Sequence, residues 1–222
     1  MTRKSKADIR QKILTTSETL FASKGFNATG IDLIAKTAGI TKSLIYYYFK
    51  SKDEILSELF DTFVKKTVDM KQKITDHWRE EPSASVDKII RDYSLPFMME
   101  NKNVIKIAFT ESVKDITEEP HLNIFKYFDQ NFNASYDIAQ KMGFKSTKDQ
   151  RKLISSFFMF FAPLFSFVIF SDEWCDHYNI DLMTASNLFA DAIGKTYSFF
   201  AREEIQNINL DEMMNKTTRE GL

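Results

Sequence analysis

Apolar residues recur every three or four positions along most of this chain, and the pattern is broken by a few glycines, prolines and Ser/Thr/Asp caps. Ile9, Ile13, Leu14, Leu20 and Phe21 make the first stripe, in a helix opened by a Ser5-x-x-Asp8 box and stopped by Gly25. A second helix is predicted from Thr29, with Asp32 closing a Thr-x-x-Asp box, and Ile31, Ile34, Ala35 and Ala38 on one side. Gly39 supplies the turn, and a third helix runs from Thr41 or Lys42 to Phe49. Ser51 and Glu54 box the start of a long fourth helix reaching about Trp78. Further helices follow over 86–99, 104–114, 118–142 and, from a cap at Thr147–Gln150, to about Phe170 with a possible kink at Pro163; the last spans 181–205. No run alternates in the manner of a strand, so the expected fold is all-α, with about nine helices.

The stretch from Thr29 to Lys52 organises the rest. Placed at 100° steps, Lys42, Ser43, Tyr46 and Tyr47 fall in one arc of the third helix and Leu44, Ile45, Tyr48 and Phe49 in the opposite one. One arc can be buried; the other offers an ammonium, a hydroxyl and two phenols. Two short helices joined by so tight a turn, with such an outer face, have the construction of a helix-turn-helix whose second helix enters the DNA major groove. The plainer alternative is an αα-hairpin with a wettable outer face. Two adjacent outward tyrosines and the bracketing Lys36, Lys42, Lys50 and Lys52 weigh against it.

Charge sharpens this picture. Residues 1–52 carry 10 Lys/Arg against 3 Asp/Glu, and residues 53–222 carry 20 against 28. A near-neutral whole therefore consists of a basic head suited to a polyanion and an acidic body. The expected division is a DNA-binding head at 1–51 and an effector-binding and dimerisation body at 52–222. The lone Cys175 leaves no disulfide framework, the N-terminus lacks the apolar core of a signal peptide, and the longest apolar run, 157–170, is short for a membrane span. A cytoplasmic protein without membrane contact is the expectation. No phosphate loop, nucleophile elbow or metalloprotease motif is present, so neither enzyme activity nor a cofactor is expected. Asp172, Glu173, Cys175, Asp176 and His177 match no defined zinc spacing and are read as a solvated turn.

The segment LFASKGFNATGIDLIAKTAGITKSLIYYYFKSKDEIL, within Ile9–Leu56, resembles the TetR (tetracycline-repressor-like) family of transcriptional regulators. The Gly-aromatic-x-x-Thr step, the Ile-Ala-x-x-Ala-Gly turn and the Tyr-Tyr-x-Phe-x-x-Lys close carry the likeness. It implies a homodimer, joined through the last two long helices, that binds a palindromic double-stranded operator and responds to a small-molecule effector. By the same resemblance Thr29 holds phosphate at the start of the second helix, and Thr41, Lys42 and Ser43 open the recognition helix. Tyr46 and Tyr47 meet phosphate or thymine methyls, and Lys52 meets phosphate. Tyr48 stands where the family often has histidine. Leu44 stands where a polar base-reader is frequent, leaving it a thymine-methyl contact or a place in the core.

Phe, Met and Tyr concentrate in the body, where they suit a deformable pocket for an apolar or aromatic effector as well as an ordinary core. Phe63, Trp78, Phe97, Phe109, Phe125 and Phe128 are the candidate lining. Repression is the family's usual mode. The competing reading is a dimeric helical carrier or sensor of an apolar ligand that binds no DNA.

Overall fold

The computed structural model describes residues 6–81, 85–113, 124–141 and 148–197. In chain order these form α1 (Lys6–Lys24), α2 (Ile31–Ala38), α3 (Lys42–Tyr48), α4 (Lys52–Glu80), α5 (Val86–Ile89), α6 (Leu95–Glu100), α7 (Lys102–Ser112), α8 (Ile124–Lys141), α9 (Gln150–Ser155), α10 (Ala162–Tyr178) and α11 (182–197). π turns over Ile90–Ser94 and Ser156–Phe161 join α5 to α6 and α9 to α10 without a break. Counted as continuous rods, the described residues make nine helices and no strand.

Those π turns were not foreseen, and each has the same neighbour. Pro96 and Pro163 lie two residues beyond their ends. A proline interior to a helix lacks the N–H for the carbonyl four residues back and collides with it. One turn of wider i→i+5 bonding shifts the ladder and lets the rod continue. The helix that begins at Gln150 accordingly runs on to Tyr178, not to Phe170. Asp172, Glu173, Cys175, Asp176 and His177 therefore occupy its last turns and not a loop, with Cys175 buried. The rod over Gln150–Tyr178 is longer than the apolar run 157–170 and is long and apolar enough to cross a membrane by length and composition alone. A helix that presents its apolar side to other protein meets the same two criteria.

The caps explain most of the remaining boundaries. Gly25 and Gly39 have positive φ, 86° and 61°, and end α1 and α2. Asp149 accepts from Lys152 N–H at 2.8 Å, and Asp181 accepts from Thr184 N–H at 2.9 Å, opening α9 and α11. Ser51 accepts from Glu54 N–H at 3.2 Å at the start of α4, while Glu54 takes the Lys50 N–H. The expected Thr29–Asp32 box is absent: α2 begins at Ile31, and its N-cap, Gly30, makes no side-chain cap bond. The Ser5 box and the segments 114–123, 142–147 and 198–205 of the expected helices lie outside the described residues.

The chain divides into two compact units, Met1–Gln72 with Met98–Met142, and Lys73–Phe97 with Gly143–Leu222. In the first, Ile13, Phe21, Phe26, Ile34, Ile45, Phe49 and Ile55 are essentially inaccessible and hold α1 to α4 together. α1 also lies against α7. Farther along α4, Phe63 stacks on Tyr127 of α8 at 4.9 Å, with Phe60 edge-on to the same ring at 5.8 Å. In the second unit Phe161, Leu164, Phe165 and Val168 are buried, and Phe167 of α10 stacks on Phe189 of α11 at 4.2 Å. Gly194 of α11 lies so close to α5 that an added Cβ would meet the Asp87 backbone at 2.7 Å.

Candidate nucleic-acid interface

α3 is held by its buried arc. Ile45 and Phe49 are 0% and 1% exposed, and Arg10 of α1 lies over the Phe49 ring at 4.9 Å while its guanidinium grips Glu58 of α4. Thr41 caps the helix, its Oγ1 accepting from Leu44 N–H at 3.3 Å and sharing a hydrogen bond with Ser43 Oγ at 3.0 Å. The turn before it closes with Ile40 N–H on the Ala35 carbonyl at 3.0 Å, a bond that needs the left-handed backbone of Gly39. A seven-residue helix has little stability of its own. Burial on one side and caps at its ends fix it here.

The opposite arc is open. Tyr46 and Tyr47 are 49% and 65% exposed, and Thr41, Lys42 and Ser43 are exposed beside them. Leu44 and Tyr48 are half-buried at the margin, Tyr48 meeting Tyr47 edge-on at 5.0 Å. The division is the one that 100° spacing predicts. Seven of the nine expected contact residues thus occupy one face or its edge.

The other two do not lie on this open arc. Thr29 is fully buried, with its hydroxyl donating to the Gly25 carbonyl at 2.8 Å and to Leu20 O at 3.3 Å. The carbonyls at the end of α1 need donors, and the hydroxyl gives its proton to them, leaving none for a phosphate. Lys52 is turned toward the protein as well. Its Nζ donates to Phe26 O at 2.8 Å and lies 4.1 Å from the centre of the Phe26 ring, tying α4 to the α1–α2 loop.

Two residues that sequence reading left off this face join it. Asp32, exposed on α2, accepts from Lys42 Nζ at 3.0 Å, and that hydrogen bond, followed by the charge itself, holds the Lys42 ammonium above its ordinary pKa. The signal was available: with Ile34, Ala35 and Ala38 inward, Asp32 and Lys36 must point out. Lys6, at the start of α1, donates to Tyr47 Oη at 3.3 Å. Hydroxyls, ammonium groups and phenols on so narrow a rod are the groups that meet phosphate oxygens and base edges.

Residues 13–59 match the family model for bacterial regulatory proteins, tetR family. Among curated proteins, the chain is 32% identical over 139 residues to the HTH-type transcriptional regulator YhgD of Bacillus subtilis, covering 61% of each chain. It is 39% identical over 64 residues to AcrR of Shigella flexneri, covering 28% of this chain and 30% of that one. Over residues 13–59 the chain is similar to the tetR family. It spans less than two thirds of the length of these curated relatives, and the names they carry are those of regulators, not enzymes. The fold extends the likeness. A TetR-like regulator from Rhodococcus has a TM-score of 0.60 at 16% identity, with 88% of this chain and 99% of that chain covered. The Bacillus subtilis regulator FadR in complex with stearoyl-CoA has a TM-score of 0.56 at 19% identity, with 84% and 98% covered.

The six aromatic pocket candidates differ in exposure and fall in both units. Phe63 and Phe128 are buried in the first unit, Phe109 is half-buried there and Phe125 is 57% exposed. Trp78 and Phe97 belong to the second unit. A cleft between α4 and α8, of about 10 Å³, is lined by Val64, Thr67, Val68, Lys71, Tyr127 and Asn131, among others. That is room for one water molecule. Its polar groups form a directed chain: Asn131 Nδ2 donates to Tyr127 Oη at 3.2 Å, Tyr127 to Thr67 Oγ1 at 3.0 Å, and Thr67 to Phe63 O at 2.9 Å. Burial pushes the Tyr127 phenol up to about 12 and brings the Lys71 ammonium down to about 7. Lys71 meanwhile donates to Asn131 O and Ser135 Oγ.

Proposed function

We propose that this protein is a ligand-responsive transcriptional repressor that binds a palindromic operator as a homodimer. Residues 1–51 act as the DNA-binding head and residues 52–222 as the effector-binding and dimerisation body. The observation that carries the reading is the open arc of α3, with Lys42, Ser43, Tyr46 and Tyr47 projecting together from a helix anchored by Ile45 and Phe49. Thr41 and Lys6 extend the same face. A dimer whose two α3 helices lie one DNA turn apart, about 34–36 Å, would seat both in successive major grooves.

The second unit supplies the reason to expect a homodimer. Phe158, Met159, Phe170, Trp174 and Tyr178 of the rod over 150–178, with Met183 and Leu188 of α11, are exposed apolar residues. So much uncovered apolar surface on two adjacent helices suits burial against a second copy. This role also accounts for the apolar length of the rod in a cytoplasmic protein.

The effector is read as a molecule with a large apolar or aromatic part, admitted by the aromatic body. FadR of Bacillus subtilis, which shares the fold, was solved with stearoyl-CoA and is the nearest support on the ligand side. Binding that favours a different placement of α4 would alter the spacing of the two α3 helices and weaken operator affinity, typically 5–150-fold.

Genome-wide footprinting followed by gel shift tests the reading. A small set of palindromic sites, lost on adding an apolar ligand that raises the melting temperature, is the expected result. Ligand binding with no sequence-specific duplex binding would establish the carrier reading in its place.

A further inference from the structure

Between Gly25 and Lys52, the stretch that carries the DNA face, Asp32 is the only acidic residue. Its side chain is 79% exposed and accepts from Lys42 Nζ at 3.0 Å. A carboxylate on a surface that meets phosphates is repelled by them. An exposed ion pair adds little to stability, so the carboxylate is not explained by the fold. Lys42, for its part, is the first residue of α3. The N-terminal residues of a recognition helix are the ones that reach base edges, whereas phosphate contacts are spread around the periphery.

We propose that Asp32 is a specificity-setting residue of the DNA face, holding Lys42 as a net-neutral pair aimed at a guanine edge and withholding its charge from phosphate. The assignment rests on the DNA-binding reading above. An ammonium has three N–H donors; with one on Asp32 Oδ2, two remain for the O6 and N7 acceptors that guanine presents in the major groove. The carboxylate fixes where a flexible four-carbon side chain puts those donors. Because the pair carries no net charge, it adds nothing to attraction for DNA of arbitrary sequence. Specific and non-specific affinity are thereby separated at one site: the hydrogen bonds act only where a guanine meets them, and the charge is already balanced.

The test uses the full chain and two duplexes: one enriched by the wild-type protein from a randomised pool, and a scrambled sequence of the same composition. Asp32→Asn is nearly isosteric at an exposed position, and a matched melting curve confirms that it folds. It should bind the scrambled duplex more tightly, with the log K against log salt slope steeper by about 0.9, the increment for one more phosphate neutralised. The ratio of enriched to scrambled affinity should fall about fivefold or more, the lower end of what one base contact contributes. The double variant Asp32→Asn with Lys42→Met should return to the wild-type slope on the scrambled duplex yet lose the preference for one G·C pair per half-site. An Asp32→Asn protein with unchanged ratio and unchanged slope overturns the proposal while leaving DNA binding intact. Failure of the wild-type protein to enrich any sequence overturns the DNA-binding reading itself, and the proposal with it.

Discussion

Lys42, Lys52 and Lys71 carry the same functional group and are put to three different uses by their surroundings. Lys42 is paired at the surface, Lys52 reaches inward to a carbonyl and a ring, and Lys71 lies in the α4–α8 seam. For Lys71 the consequence is measurable. Its ordinary value is 10.5, and burial brings it to about 7 in the folded protein. Between those values the unfolded chain binds more protons than the folded one, so stability contributed at this site rises with pH there. Below about pH 7 the ammonium is charged in both states and its desolvation cost is fully present. Lys71→Met should therefore gain most over wild type near pH 6–7, with the melting-temperature gap narrowing toward about pH 9, by about 2–4 °C per kcal/mol. A gap independent of pH would mean that Lys71 does not titrate in this window. Sequence alone separated the faces of α3, because helical spacing fixes which residues share a side. It could not say that Thr29 and Lys52 turn inward, since that depends on which carbonyls lie within reach after folding: those of Leu20, Gly25 and Phe26.

Among the elements, the short head helices were legible where a boundary has a local cause, while the cap expected at Thr29 for α2 was not found. Gly25, Gly39 and Thr41 act within a few residues of themselves. The long rods of the body were legible in kind but not in extent. Pro96 and Pro163 suggest stops or kinks in a linear reading, whereas a π turn ahead of each lets the helix continue. The contact between α11 and α5 is likewise invisible to periodicity. Gly194 sits in a helical pattern where glycine is unfavourable, and only the approach of the Asp87 backbone explains it. Gly194→Ala would improve helix propensity but force two helices apart. It should destabilise by about 1–3 kcal/mol, the usual cost of overfilling a tight contact. Urea denaturation checks this, and a stability gain would show that the crossing yields easily.

At the scale of the whole molecule, the split of charge between residues 1–52 and the remainder and the uncovered apolar side of the last helices belong to one design. On the proposed reading, the positive head would attract DNA, the acidic body would keep the rest of the chain off it, and a second copy would supply the symmetry that a palindrome requires. The account stands on the outer arc of α3 making the specific contacts. The direct test is equilibrium binding of a Lys42→Ala, Tyr47→Ala double variant to a duplex enriched by the wild-type protein. Both side chains are exposed, so the fold should be kept. The predicted result is an affinity loss of about tenfold or more, in line with about 1–3 kcal/mol for each good base contact. A double variant that folds as wild type and binds that duplex with undiminished affinity would contradict the account.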